Sequence, residues 1–168
     1  MKTATTSTST LTSRAPARPP LATLLVATTT SALALSSLVL LGALSGHVLL
    51  IPPMAASMAL VAGAPTLPLS QPRSVIGGQV ISALVGVSAG TLSHSLWVAA
   101  IAGGLALGAM LATRTSHSPA AATAVIGALT TSGQASFVVC AGIAAIALVA
   151  AGVIRSRLTR ASYPAYWW

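Results

Sequence analysis

The chain has 168 residues, 55% hydrophobic and only 5% charged, with eight Lys and Arg, no Asp or Glu, and a mean hydropathy of +0.90. A soluble domain carries roughly 25% charged residues, so lipid must be the solvent for most of this surface. Without carboxylates there is no paired-acid catalysis, Ser-His-Asp triad or oxygen cage for Ca²⁺ or Mg²⁺, and the single Cys140 allows neither an intrachain disulfide nor a thiolate metal cluster.

Residues 1–20, MKTATTSTSTLTSRAPARPP, are Thr/Ser/Pro-rich and read as a disordered cytoplasmic tail. An acid-free start containing Arg and Ser also has the character of an organellar transit peptide. A transmembrane domain over 21–156 follows. Its first apolar segment, 21–44, is long enough for a ~30 Å hydrocarbon core. The second, 47–64, is broken by Pro52-Pro53. A loop with three prolines and Arg73 occupies 64–74, and the third segment, 75–93, carries Gln79 and Ser82 on its early turns. The fourth covers 96–112. The fifth, 119–130, is about 18 Å as a helix and too short to cross alone. The sixth, 136–154, leads into Arg155, Arg157 and Arg160 and a basic, aromatic tail over 157–168. Tyr and Trp there suit the interfacial belt or an unstructured end.

Sliding the chain by 66 residues lays Pro53-x-Ala-Ala-Ser57 on Pro119-x-Ala-Ala-Thr123 and the first three segments on the last three, giving half-repeats of about 21–93 and 96–156. In both halves the middle segment is the short or broken one, which is the sequence pointer to a transporter's binding site. Proline suits a first helical turn, and the unpaired N–H groups and macrodipole of such a turn favour an anion. The expected fold is all-α: a small bundle of four to six transmembrane segments with two short Pro-started helices, half or re-entrant, in a two-fold pseudo-repeat. With six crossings every Lys and Arg falls on the cytoplasmic side, as the positive-inside rule asks. With four, the short segments re-enter and leave Arg73 and Arg114 outside. Both arrangements put the termini in the cytoplasm, most simply at the cell membrane, the alternative being an organelle membrane.

The string GAPTLPLSQPRSVIGGQVISALVGV, followed by LATRTSHSPAAATAVIGAL, resembles the HPP family of small integral membrane proteins. The family's His-Pro-Pro motif falls at His117-Ser118-Pro119. Gln71-Pro72-Arg73, Gly77-Gly78, Thr113-Arg114-Thr115 and Ala55-Ala56-Ser57 accompany it. The chain departs from the pattern at Ser118 for Pro, Ala56 for Gly and Gln79 for His. The resemblance implies about four membrane helices and, through relatives associated with nitrite transport, a small-anion substrate.

The reading of function is therefore a transporter or channel for nitrite-like inorganic anions, with the anion at paired half-helix starts. Its expected binding residues are Ser57, Arg73, Arg114, His117, Pro119 and Thr123. The alternative is a non-transporting structural or interaction subunit of a membrane complex. Catalysis, a metal and a cofactor are not expected. The partners are the small anion and the lipid bilayer, with a homo-oligomer left open; three Gly-x-x-x-Gly matches indicate tight helix contact and not any particular dimer. Nucleic acid is excluded, because the basic residues form no stripe and no aromatics interleave with them.

Overall fold

The computed structural model describes residues 17–168, and the expectations for the N-terminal tail lie almost wholly outside these. The described residues form six helices and no strand: α1 (Leu21–Ser45), α2 (Pro52–Gly63), α3 (Pro72–Gly90), α4 (Leu96–Ala112), α5 (Ser118–Leu129) and α6 (Gln134–Thr159), with a 3₁₀ turn at Pro68–Ser70. Only α1 and α6 are both long and apolar enough to cross a membrane unaided. The described residues are thus all-helical, as a helical membrane protein would be.

Proline sets the starts. Pro52 and Pro53 open α2, Pro72 opens α3 and Pro119 lies in the first turn of α5, positions where a missing N–H costs nothing. The two short helices have the same length, twelve residues, and their starts and ends are each 66 residues apart.

Contacts between helix ends fix their directions. Arg73 Nη2 donates to the Thr113 carbonyl at 3.0 Å, joining the start of α3 to the end of α4. Ser70 Oγ donates to Ala64 O at 2.7 Å, bringing the end of α2 to the same place. The first turns of α1 share a cleft with Arg155 and Thr159 of α6. At the other end, the His94 ring bonds the Ala128 carbonyl at 2.8 Å, joining the start of α4 to the end of α5. Leu41 and Ser45 of α1 face Ala135 and Ser136 of α6 there.

Helices α1, α3 and α5 therefore run one way and α2, α4 and α6 the other. Neither short helix turns back to the end it started from. Each is preceded by non-helical backbone, residues 46–51 before α2 and 113–117 before α5. The first of these folds back along α1, where a Cβ on Gly42 would lie 2.7 Å from the His47 carbonyl oxygen. All six arginines among the described residues, at 18, 73, 114, 155, 157 and 160, belong to the end where α1 and α3 begin.

Helices α3 and α6 form the centre. α3 packs on α4, α5 and α6, and α6 on α1, α2 and α3. One buried cluster, including Leu38, Met54, Met58, Val61, Val75 and Leu148, joins α1, α2, α3 and α6. A smaller one, Ala99, Ala102 and Ala128, joins α4 to α5. The closest approach is α3 on α5: a Cβ on Gly86 would run into the Ala124 carbonyl, and one on Gly90 would sit 2.8 Å from the Ala128 carbonyl oxygen. Small residues permit such backbone contact in lipid, where dispersion replaces the hydrophobic effect as the driving force between helices. Of the three Gly-x-x-x-Gly matches only this one is a packing face between helices. Gly104 and Gly108 meet nothing within 4 Å, and Gly42 and Gly46 serve the turn after α1, where Gly46 takes φ 72°.

The C-terminal residues are structured. Tyr163 is buried against Val61 and Gly152, and its hydroxyl donates to Ser70 O at 3.0 Å. That burial pushes its phenol pKa up, well above the usual range. The Ala165 N–H donates to Gln71 Oε1 at 2.8 Å, and Trp168 lies over the Arg73 guanidinium, 4.9 Å from ring centroid to Cζ. The tail thus straps the arginine end of the bundle.

Candidate functional site

Four polar side chains meet inside the bundle: Ser57 of α2, Gln79 of α3, Thr123 of α5 and His117, which precedes α5. Ser57, Gln79 and Thr123 are 0% exposed and His117 1%. Gln79 is the eighth residue of α3, about 10 Å along from its start at 1.5 Å per residue. The cluster is therefore deep in the bundle, nearer the arginine end.

The hydrogen bonds form one chain. Thr123 Oγ1 donates to Gln79 Oε1 at 2.5 Å, and Gln79 Nε2 donates to Ser57 Oγ at 2.9 Å. Ser57 Oγ is 2.7 Å from His117 Nε2 and 2.8 Å from the Pro53 carbonyl. His117 Nδ1 donates to the Leu69 carbonyl at 2.7 Å. The imidazole is held against Gly78, where a Cβ would fall 2.8 Å from both His117 Cβ and the Thr115 carbonyl oxygen. A Cβ on Gly77 would strike Thr115 Cγ2 at 2.7 Å. The Gly77-Gly78 pair thus lets the 113–117 stretch lie on α3, which places the ring. One turn beyond Gln79 on the same face, Ser82 Oγ is buried without a hydrogen-bond partner among the described residues.

Of the six residues expected from the sequence, Ser57, His117 and Thr123 come together here, and Pro119 stands in the first turn of α5 beside them. Arg73 and Arg114 do not touch the cluster. Arg73 occupies the second position of α3, where a cation opposes the helix macrodipole. Its bond to Thr113 O places it at the carbonyl end of α4, where a cation is favoured. Arg114 is exposed and takes φ 59°. Its N–H donates to Leu111 O and the Thr115 N–H to Met110 O, the Schellman pattern in which the left-handed position usually belongs to glycine.

The expectation of two equivalent helix starts meets a physical obstacle at α2. Its first two residues, Pro52 and Pro53, have no N–H, and the Met54 N–H donates to Ile51 O at 2.8 Å. Helix α2 therefore turns no free first-turn N–H toward a ligand. In α5 the Ala120 N–H is taken by His117 O and Pro119 has none, which leaves the Ser118 N–H as the donor of that first turn. Ser82 stood out in the sequence only as a polar residue in an apolar segment, and Gln79 also as the residue in place of the family's His after Gly77-Gly78, without a site role. What could have singled out Gln79 was its spacing after Gly77-Gly78.

A groove of about 510 Å³ lies elsewhere, between the end of α1 and the start of α6, with an apolar lining that includes Leu41, Leu49, Val139 and Ile143. It takes no part in the polar cluster.

The sequence profile of the family described as "HPP, transmembrane region" matches residues 16–164. A transmembrane protein of Dictyostelium discoideum is 32% identical over 124 residues, 68% of this chain and 40% of the relative. A second transmembrane protein of the same organism is 35% identical over 129 residues, 71% of this chain and 45% of the relative. The chain thus spans less than half the length of either relative. No solved structure matches it.

Proposed function

The chain belongs to the HPP transmembrane-region family, and from that premise we propose that it moves small, nitrite-like inorganic anions across its membrane. The observation that carries this reading is the chemistry of the buried cluster. Hydroxyl, amide and imidazole groups converge at the start of α5, two arginines guard the same end, and the chain holds no acid to repel an anion. Irregular backbone at membrane depth is stable only where protein or a polar path covers it, and residues 113–117 have that character. The anion enters past Arg114 and Arg73 and meets the Ser118 N–H, His117, Thr123 and Ser57; α2 contributes its hydroxyl and not its first-turn N–H groups. The protein acts as a carrier or channel and not as an enzyme.

The matched helix pairs support an inverted two-fold repeat of α1–α3 on α4–α6, in which the two short helices are the equivalent broken crossings. All six helices then cross, and the arginine end, with both termini, faces the cytoplasm. The cell membrane is the proposed location.

One observation favours a rival reading, a structural subunit of a membrane complex: the cluster's hydrogen bonds close on one another. Uptake by purified protein in liposomes, comparing nitrite, nitrate, formate and chloride, separates the two. Uptake above the protein-free background is expected for nitrite. Absence of uptake for all four leaves the structural role.

A further inference from the structure

The hydrogen bonds around His117 accommodate a protonated ring, yet the sequence has no acidic side chain to balance its charge. The Leu69 carbonyl only accepts, so Nδ1 carries a proton in every state. What varies is Nε2. Ser57 has a single hydroxyl proton and two acceptors for it, Nε2 and the Pro53 carbonyl oxygen. With a neutral ring, Ser57 can satisfy only one of them. With Nε2 protonated, the ring donates to Ser57 Oγ, Ser57 donates to Pro53, and the Gln79 amide fills the remaining lone pair. Every donor and acceptor at Ser57 then has a partner.

The groups facing the ring bear no charge and none titrates near neutral pH: Ser57 on α2, Leu69 in the 3₁₀ turn, Gly78 and Gln79 on α3, Met110 on α4, and Thr115. Among the described residues, the charged side chains at the start of α3 and in the 113–117 stretch are the cations Arg73 and Arg114, and the sequence has no Asp or Glu to oppose them. A buried cation without a counter-charge is strongly disfavoured. An anion entering the cluster supplies the missing charge, and the Ser82 hydroxyl, without a partner among the described residues, leaves a donor in the same interior to receive it.

We propose that His117 takes up one proton at Nε2 together with one anion, so that the two cross as an electroneutral pair. This rests on the anion-carrier reading above. The proton comes from water on the entry side and leaves to water on the exit side, and no bond to the anion forms. Because the bound state holds one more proton than the empty one, affinity and pH are linked. Anion binding strengthens about tenfold per unit of acidification while the empty site stays neutral.

The test uses full-length protein in liposomes with the membrane potential clamped by potassium and valinomycin. Nitrite is the probe, corrected for the acid leak of protein-free liposomes. Uptake should follow a pH gradient, acid outside, at zero potential, and should not change when the potential is altered. His117→Gln, which keeps an amide between Leu69 and Ser57, should lose the response to the pH gradient, whether or not a potential-driven flux remains. Nitrite uptake by the unmodified protein that follows potential and ignores the pH gradient overturns this proposal and leaves the anion-carrier reading standing. A folded His117→Gln protein that keeps full pH coupling also overturns it. If the variant does not fold, the two gradients applied to the unmodified protein still decide. No flux of nitrite, nitrate, formate or chloride removes both readings together.

Discussion

Ser57 and Thr123, 66 residues apart, hold opposite ends of one amide: Gln79 Nε2 donates to Ser57 Oγ at 2.9 Å, and Gln79 Oε1 accepts from Thr123 Oγ1 at 2.5 Å. Three helices are pinned by two bonds. The hydroxyls occupy matching positions on the two short helices, and the residue that joins them belongs to neither.

This arrangement is tested by a double-mutant cycle. Thr123→Val strips Gln79 Oε1 of its donor, and Gln79→Met leaves the Thr123 hydroxyl unpaired. Each substitution should lower stability, and the pair should cost less than the two singles added. The coupling should be about 0.6 kcal/mol, the average for interhelical hydrogen bonds in membranes, and at most about 1.7 kcal/mol. Thermal unfolding of the four proteins in one detergent measures it; strict additivity would show that the bond between Thr123 and Gln79 contributes nothing.

Glycines of the same motif should behave differently. Gly86→Ala forces α3 off the Ala124 carbonyl and should destabilise by roughly 1–3 kcal/mol, as overpacking does. Gly104→Ala meets open space and improves helix propensity, so its stability should be unchanged or slightly raised. Yield of folded protein and melting temperature compare the two. Equal loss for both would contradict the packing of α3 on α5.

Arg114 holds a left-handed conformation that glycine would adopt with less strain, a penalty of about 1 kcal/mol for a side chain. Arg114→Gly should therefore raise stability by up to about that amount while lowering anion flux. Melting temperature and flux measured on the same preparation should move in opposite directions. A variant that is more stable and fully active would remove Arg114 from the anion path.

Sidedness follows from the helix directions. In a background with Cys140 replaced by alanine, single cysteines at Arg73 and Arg114 should react with an impermeant reagent from one face, and a cysteine at Ser93 from the other. Labelling of the 73 and 114 positions from opposite faces would be incompatible with the contact between Arg73 and Thr113.

Reinstating the family's proline at Ser118 probes the first turn of α5. The position is the first of the helix and exposed, so Ser118→Pro should fold normally. It also removes the N–H assigned to the anion, so affinity should fall several-fold while stability holds. Unchanged affinity would move the seat away from that turn.

Much of the fold was legible in the sequence because its signals are local. Proline at 52, 53, 72 and 119 marks helix starts whatever the neighbours are. A chain with so few charges can cover its surface only with lipid, but whether Arg73 and Arg114 share the end of the terminal arginines depended on four or six crossings and was decided by the helix directions. Ser57, His117 and Thr123 were within reach for the same reason, as polar groups tied to broken segments. What the sequence could not give was which faces meet. In lipid both the core and the outer surface of a helix are largely apolar, so Gln79 and Ser82 could mark a buried face of α3 but hydropathy could not say which helices lie against it. That Gln79 bridges the two hydroxyls, that Gly86 and Gly104 differ, and that Tyr163 folds back onto Ser70 were decided by tertiary packing alone, because close backbone approach and the pairing of buried polar groups depend on which helix lies opposite.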